Sequence, residues 1–372
     1  MGILTLKGCL IPQRLKKGNG IYLALYEWQR YRLPKINAAW GIVRRKNQNV
    51  LLVRGSCNSN MSDEVLVVFG ASGDLARKKT FPSLYNLVAN GWNGKIIGYA
   101  RSELSQEDFA KRIQEHLKDK THLDKFLKNI TYHSGQYDKA DDFKKLNELV
   151  SGYKRRLFYL ALPPNVFGIV AENLDKYCRG ENSLIIVEKP FGRDLDSCDE
   201  LLKAISHHWN EKETYRIDHF LGKEMVKNLV VLRFANIFFE SVWNSKFIDN
   251  VQIVLKEDFG TQGRGGYFDE FGIVRDVMQN HLLQLLTVVC MEKPIKLLAD
   301  DIRDEKVKVL RQMPAIDLKD CIFGQYTSSA DGKQVGYTDD PTVPKGSNAA
   351  TYAICKMEVN NDRWKGTVSL FI

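Results

Sequence analysis

The sequence predicts an α/β domain with a parallel sheet, followed by an α+β domain built on a large, mostly antiparallel sheet. Two observations carry this expectation. Val65-Leu66-Val67-Val68-Phe69 is a continuous apolar, β-rich run of the kind that a parallel strand covered on both faces requires, and Gly70-x-x-Gly73-Asp74-Leu75 follows at the spacing of a tight strand-to-helix turn. Far downstream, Ile248 to Glu257 alternates instead, with Val251, Ile253 and Leu255 on one side and Gln252, Val254 and Lys256 on the other, as an antiparallel strand with one covered face would. A chain of 372 residues is long enough for two domains, each with its own core. Residues 61–217 read as the first domain and 218–372 as the second, with a basic extension outside the fold at 1–60.

In the first domain, the turn at Gly70, Ala71, Ser72 and Gly73 lets the backbone approach a pyrophosphate. A helix from roughly Leu75 to Asn90, opening with Asp74, Leu75, Ala76 and Arg77, would supply N–H donors to it. This is the arrangement of a Rossmann-like dinucleotide-binding domain, although the spacing departs from Gly-x-Gly-x-x-Gly and a turn of purely structural origin reads equally well. The next apolar run, Lys95 to Ala100, ends at Arg101. An acid near this point would hold the ribose 2′-hydroxyl of NAD, whereas a cation suits the 2′-phosphate of NADP. Arg101, with Ser102, therefore points to NADP, the other reading being a solvated arginine at a strand end. Ser105 to Leu127 reads as one helix with a wet face. Leu157 to Leu162 reads as a buried strand stopped by Pro163 and Pro164, at the sheet edge where doubly wound folds bind ligands. Asn182 to Val187 is the next strand and delivers Glu188-Lys189-Pro190-Phe191-Gly192, whose Lys-Pro bond is a candidate cis peptide.

The net charge of +9 invites a nucleic-acid reading, but it is concentrated at one end: residues 1–60 hold 11 Lys+Arg against the single acid Glu27, which leaves the remaining residues at −1. The body of the chain lacks the electrostatic footprint of a nucleic-acid partner. Its leading segment has no apolar stretch long enough to span a membrane. Two readings of that segment stay open, an upstream extension with Met61 as the natural start, or an organelle transit peptide, for which Ser56 and Ser59 are few serines. The seven cysteines are scattered, odd in number and never spaced Cys-x-x-Cys, a pattern that fits a reducing compartment, with the cytoplasm as the expected location and neither a metal site nor a disulfide framework expected.

The densest chemistry lies in Tyr215-Arg216-Ile217-Asp218-His219-Phe220-Leu221-Gly222-Lys223-Glu224, where an acid, an imidazole and two cations crowd around a glycine. Such a stretch reads as a loop or helix entry aimed at a ligand, or as a charged turn between domains. In the helix expected from Ile273 to Val289, Val277, His281 and Leu285 are successive i+4 positions, so His281 lies in the apolar stripe. A histidine so placed is either a satisfied core group or a base, and Asp218 offers the carboxylate partner that a base needs. Asp300 to Lys308 reads as a polar bridge.

The Tyr215–Glu224 stretch closely resembles the active-site segment of glucose-6-phosphate dehydrogenases, with Phe220 where the usual form has Tyr. Four further stretches agree with that family in order: Gly70 to Ala76, Glu188 to Gly192, Gly263 to Arg275 with its Gly-Gly-Tyr-Phe-Asp-Glu-Phe-Gly, and Asp276 to Leu283. The resemblance covers about Val65 to Gly366. It implies oxidation of β-D-glucose 6-phosphate at C1 by NADP, with His281 as base oriented by Asp218. It also implies that His219, Lys223 and Lys189 bind the sugar phosphate within the Phe220-Leu221-Gly222 loop, that Glu257 and Asp276 bind sugar hydroxyls, and that Lys189 also reaches the cofactor. Phe220 would forfeit a phosphate-contacting hydroxyl, and Phe167 a cofactor contact that Tyr makes in some members. A related sugar dehydrogenase and a non-catalytic member of the fold remain alternatives. The family is homo-oligomeric. Because relatives continue past Ile372 with a substrate-contacting lysine, further strands and the dimer surface, the chain as written is expected to be poorly soluble or impaired in turnover.

Overall fold

The computed structural model describes the backbone of Gly20–Tyr26 and residues 63–372. These divide into two compact units, one holding 63–217 and the other 218–372 together with the 20–26 strand, β1 (Gly20–Tyr26).

The first unit runs β2 (Glu64–Phe69), α1 (Phe81–Ala89), β3 (Lys95–Ala100), α2 (Gln106–Gln114), α3 (Leu123–Asn129), β4 (Ile130–Ser134), α4 (Ala140–Val150), β5 (Arg155–Leu160), α5 (Phe167–Asn173), β6 (Asn182–Glu188), α6 (Leu195–Ser206) and β7 (Thr214–Ile217). Its six strands lie in the order β4-β3-β2-β5-β6-β7, every neighbouring pair parallel. Alternate residues of β2 feed two separate cores. Val65, Val67 and Phe69 pack with Phe143, Leu146 and Phe158, while Leu66 and Val68 pack with Phe81, Leu84 and Phe109. With helices on both faces, neither set of side chains meets water, and this is why the strand is apolar throughout. The stretch Ser105 to Leu127, expected as one helix, forms two. Between α2 and α3 the carboxylate of Asp119 accepts from the Thr121 N–H at 2.9 Å and from its hydroxyl at 2.6 Å, a local turn that competes with helical hydrogen bonding.

The second unit contains α7 (Glu224–Ala235), α8 (Ile237–Val242), β8 (Asn250–Lys256), α9 (Gly265–Ile273), a π-helical segment (Val274–Leu282), α10 (Leu283–Cys290), α11 (Ala299–Arg311), β9 (Cys321–Gly324), β10 (Tyr352–Glu358) and β11 (Val368–Phe371). Its sheet runs β1-β8-β11-β10-β9 and is mixed: β9–β10 and β10–β11 are antiparallel, whereas β8 runs parallel to both β11 and β1. The alternation in β8 is therefore real, with Val251 and Ile253 fully buried against Leu285, Leu286 and Val289 of α10, but its neighbours do not run in the expected direction. Alternation reports one covered face and is silent on strand direction.

Two further expectations change. Asp300 to Lys308 is the heart of helix α11, in which Arg303–Asp300 and Lys308–Glu305 pair at i,i+3 while Val309 is buried. Gly20–Tyr26, assigned to an extension outside the fold, instead pairs along β8; the β-rich run meets a strand edge with unpaired backbone groups. Met61 as a start and the character of the rest of residues 1–60 lie outside the described residues.

Candidate active site

In the first unit the turn after β2 depends on Gly70. Its φ is +74°, and a Cβ there would stand 2.2 Å from the Ala161 carbonyl oxygen. Only glycine permits β2 to turn so close to the end of β5; the turn is then pinned by the Ala71 N–H donating to the Tyr99 carbonyl at 3.2 Å and the Gly73 N–H to the Gly70 carbonyl at 2.8 Å. A Gly70→Ala variant is expected to lose about 2–3 kcal/mol, since a positive φ and a backbone clash act together; a lower denaturant midpoint would report it.

Around this turn, Asp74 pairs with Lys78 at 2.8 Å and with Arg77 at 2.9 Å, and these hydrogen bonds, Lys78 first, hold its carboxyl below the usual range. Leu75 is exposed and Ala76 buried. Arg101, exposed just past β3, lies with its guanidinium over the Tyr137 ring, 5.4 Å from the centroid, and Ser72 and Ser102 meet through their hydroxyls at 3.2 Å. The Gly70 to Gly73 turn and the strand-end cation, which follow the neighbouring strands β2 and β3, thus lie on one edge of one sheet. Lys189 follows β6 and is half-buried, and the Lys189–Pro190 peptide is cis.

In the second unit Asp218 opens a tight turn into α7. Its Oδ1 accepts from the Phe220 N–H at 3.0 Å, while Leu221 and Gly222 donate to the carbonyls of Asp218 and His219. The same Oδ1 meets His281 Nδ1 at 2.7 Å. His281 is only 3 % exposed, and the Phe220 ring stacks on it, centroids 4.0 Å apart and 13° from parallel. His219, which is exposed, meets His281 edge-on at 4.6 Å, and Lys223 Nζ stands 4.1 Å from the Phe220 centroid. Burial acts to raise the Asp218 carboxyl, but the hydrogen bond from His281, that group's charge and the Phe220 N–H outweigh it and hold the pKa below its ordinary value. Asp218 is therefore poised as a carboxylate facing an imidazole.

His281 sits in the π-helical segment rather than in an α-helix. Hydrogen bonding of the i→i+5 type stacks residue i+5 over residue i, so Asp276 and His281, five apart, share a side that an α-helix would separate. The Asn280 amide donates to the Asp276 carbonyl at 3.0 Å and to the Arg275 carbonyl at 3.1 Å. Entry to the segment is set by Gly272 (φ +68°, ψ +167°), a backbone region essentially reserved for glycine. Glu257 lies exposed just past β8.

Residues 67–228 match the family description "Glucose-6-phosphate dehydrogenase, NAD binding domain", and residues 230–372 match "Glucose-6-phosphate dehydrogenase, C-terminal domain". A solved glucose-6-phosphate dehydrogenase in complex with its substrate glucose-6-phosphate is 44% identical, with a TM-score of 0.78 over 83% of this chain and 68% of that one. The chain belongs to the glucose-6-phosphate dehydrogenase family. The glucose-6-phosphate 1-dehydrogenase of Mycobacterium avium is similar at 38% identity and a TM-score of 0.75, again over 83% of this chain and 68% of that chain. Glucose-6-phosphate 1-dehydrogenase of Aspergillus niger is 52% identical over 82% of this chain and 63% of its own length, and that of Saccharomyces cerevisiae 49% over 81% and 64%. The chain thus spans a little under two thirds of these two relatives.

Three side chains near the family's motif stretches escaped the sequence reading. Tyr267 lies beside Asp276; burial first, then that carboxylate's charge, pushes its phenol up to about 12, and its ring stacks on Phe271 at 4.7 Å. Lys306 of α11 is half-buried and donates to the Gln284 side chain; burial lowers its pKa while the charge of Asp218 opposes that shift. Tyr137 underlies Arg101. The i,i+3 charge spacing in 300–308 was the available signal for α11 and so for Lys306. Tyr267 stands within the Gly263 to Arg275 stretch, where the motif gave it no role, and no comparable pattern marked Tyr137.

Proposed function

We propose that this chain oxidises β-D-glucose 6-phosphate at C1 to 6-phosphogluconolactone with NADP as hydride acceptor, the entry step of the pentose phosphate route. The observation that carries it is the Asp218–His281 contact at 2.7 Å. With Nδ1–H donated to the carboxylate, Nε2 holds the lone pair and can take the C1 hydroxyl proton, while Asp218 stabilises the imidazolium that results. NADP, when bound, supplies the acceptor for the C1 hydride.

In this reading residues 61–217 hold the dinucleotide and 218–372 the sugar phosphate. The turn from Gly70 to Ala76, with Arg77, cradles the pyrophosphate, and Arg101 meets the 2′-phosphate. The chemistry of these donors, backbone N–H groups and guanidinium cations, fits that anion. His219 and Lys223 bind the sugar phosphate at the Phe220-Leu221-Gly222 turn, joined by Lys189, which also reaches the cofactor. Asp276 and Glu257 accept from sugar hydroxyls. A cytoplasmic location and a homo-oligomeric assembly complete the proposal. Among the described residues no helix is long and apolar enough to cross a membrane.

The test is formation of reduced nicotinamide, followed by absorbance, from glucose 6-phosphate and from unphosphorylated glucose with NADP and with NAD. Turnover only with the phosphorylated sugar, faster with NADP, is expected; equal rates on both sugars would remove the phosphate assignment. Arg101→Asp should weaken NADP binding by about tenfold or more, roughly 1.4 kcal/mol, while leaving NAD binding nearly unchanged. Equal loss of both dinucleotides would remove Arg101 from the 2′-phosphate.

A further inference from the structure

The second unit holds a pair of thiols that the proposed reaction leaves unused. Cys321 opens β9, and Cys355 of β10 is its direct partner in the antiparallel register. Their Sγ atoms are 3.5 Å apart. Directly opposed residues of antiparallel strands have Cα atoms about 4.5–5.5 Å apart, inside the roughly 4.4–6.8 Å that a disulfide bridges, so a bond can form by side-chain rotation with little backbone movement.

The two thiols are not equivalent. β9 ends the sheet order, Cys321 is part-exposed, and its neighbours Ile322 and Phe323 face solvent. Cys355 is buried, and burial, with Cys321 beside it, pushes its thiol up to about 12. The accessible sulfur is thus the one an incoming reagent meets, and the buried sulfur stands behind it in position to resolve.

We propose that Cys321 and Cys355 form a reversible dithiol that closes to an intrachain disulfide when a low-molecular-weight disulfide reaches the β9 edge. Cys321, as thiolate, attacks one sulfur of the reagent; the reagent's S–S bond breaks and one thiolate leaves. Cys355 then loses its proton and attacks the Cys321 sulfur of the mixed disulfide, expelling the second thiolate. Two protein thiols are oxidised by two electrons, the reagent is reduced to two thiols, and the two protons end on them.

The bond would close the base of the segment 322–354, which braces the helix leading to the candidate base. Within that segment Thr342 Oγ1 accepts from the Gly265 N–H at 2.9 Å, Tyr337 donates to Asp269 at 3.0 Å, Asp340 accepts from the Thr261 hydroxyl, and the Ala350 carbonyl accepts from the Ile273 N–H at 3.3 Å. The site assigned is thus a modification site, and it stands independently of the proposed oxidation of glucose 6-phosphate.

The experiment uses the folded full chain treated with oxidised glutathione, digested without reductant and analysed by mass spectrometry. A peptide pair joined through Cys321 and Cys355, two hydrogens lighter than the free pair and released by dithiothreitol, is expected. It should be lost completely in Cys321→Val and in Cys355→Val, and Cys355→Val should retain glutathione on Cys321. Glutathione remaining on Cys321 of the unsubstituted chain without any joined peptide would overturn the proposal, as would a joined peptide formed only in chain unfolded by denaturant.

Discussion

Replacing His281 by Asn lowers turnover by about 10²–10⁴-fold at saturating glucose 6-phosphate, the range over which a positioned general base contributes. The Michaelis constant should change much less, since the residues assigned to the phosphate, His219, Lys223 and Lys189, remain. Asn is chosen because its amide can still donate to Asp218, so the buried carboxylate is not left without a partner when the base is removed. Stopped-flow measurement of the first turnover separates the chemical step from product release. A first turnover within a few-fold of wild type would take His281 out of the proton transfer.

Asp218→Asn tests the other half of the pair and is expected to cost roughly 10²-fold or more in kcat, because an amide neither selects the required imidazole tautomer nor stabilises the cation formed. This variant also has a pH signature. The folded state holds the Asp218 carboxyl below its ordinary value, so the stability it contributes is fully present above the unfolded carboxylate pKa of about 3.9 and is lost as pH falls through the lowered folded value. Denaturant midpoints of the unsubstituted chain should therefore fall more steeply below about pH 4 than those of Asp218→Asn. Parallel profiles would show that Asp218 gains nothing from His281 in the folded state.

Much of the first unit was legible because its central strands β2 and β3 are covered on both sides. β2 and β3 declare themselves as unbroken apolar runs punctuated by Gly70 and Arg101, and no competing local interaction obscures them. The misreadings share a cause, which is that local pattern constrains a segment's covering but not its partners. β8 alternates in either strand direction, and α11 hides its apolar stripe among eight charges. The break between α2 and α3 turns on a carboxylate three atoms long.

The site was legible in a different way. Asp218 and His281 stand 63 positions apart, and nothing in periodicity joins them; the chemistry of a base in need of an acceptor did, supported by the family resemblance. What could not be read was the company they keep. Phe220, considered only for the hydroxyl it lacks, spends its ring on His281, and Tyr267 and Lys306 come near through tertiary packing alone.

The π-helical stretch that carries His281 gives the chain a phase as well as a shape. A segment wound with one residue more per hydrogen-bonded ring holds that residue in reserve, and its removal would let the ladder relax to the commoner i→i+4 form. Hydrophobicity and length would scarcely change, and α10 could still dock on β8. Yet the outcome would depend on which residue is lost: removed between Asp276 and His281, it leaves them four apart on one face of an α-helix, whereas removed outside that interval it leaves them five apart and about 140° around the axis from one another. Within Val274–Leu282 the position of a missing residue therefore matters more than the count, and a relative shortened outside the interval between Asp276 and His281 would keep the architecture while losing the alignment.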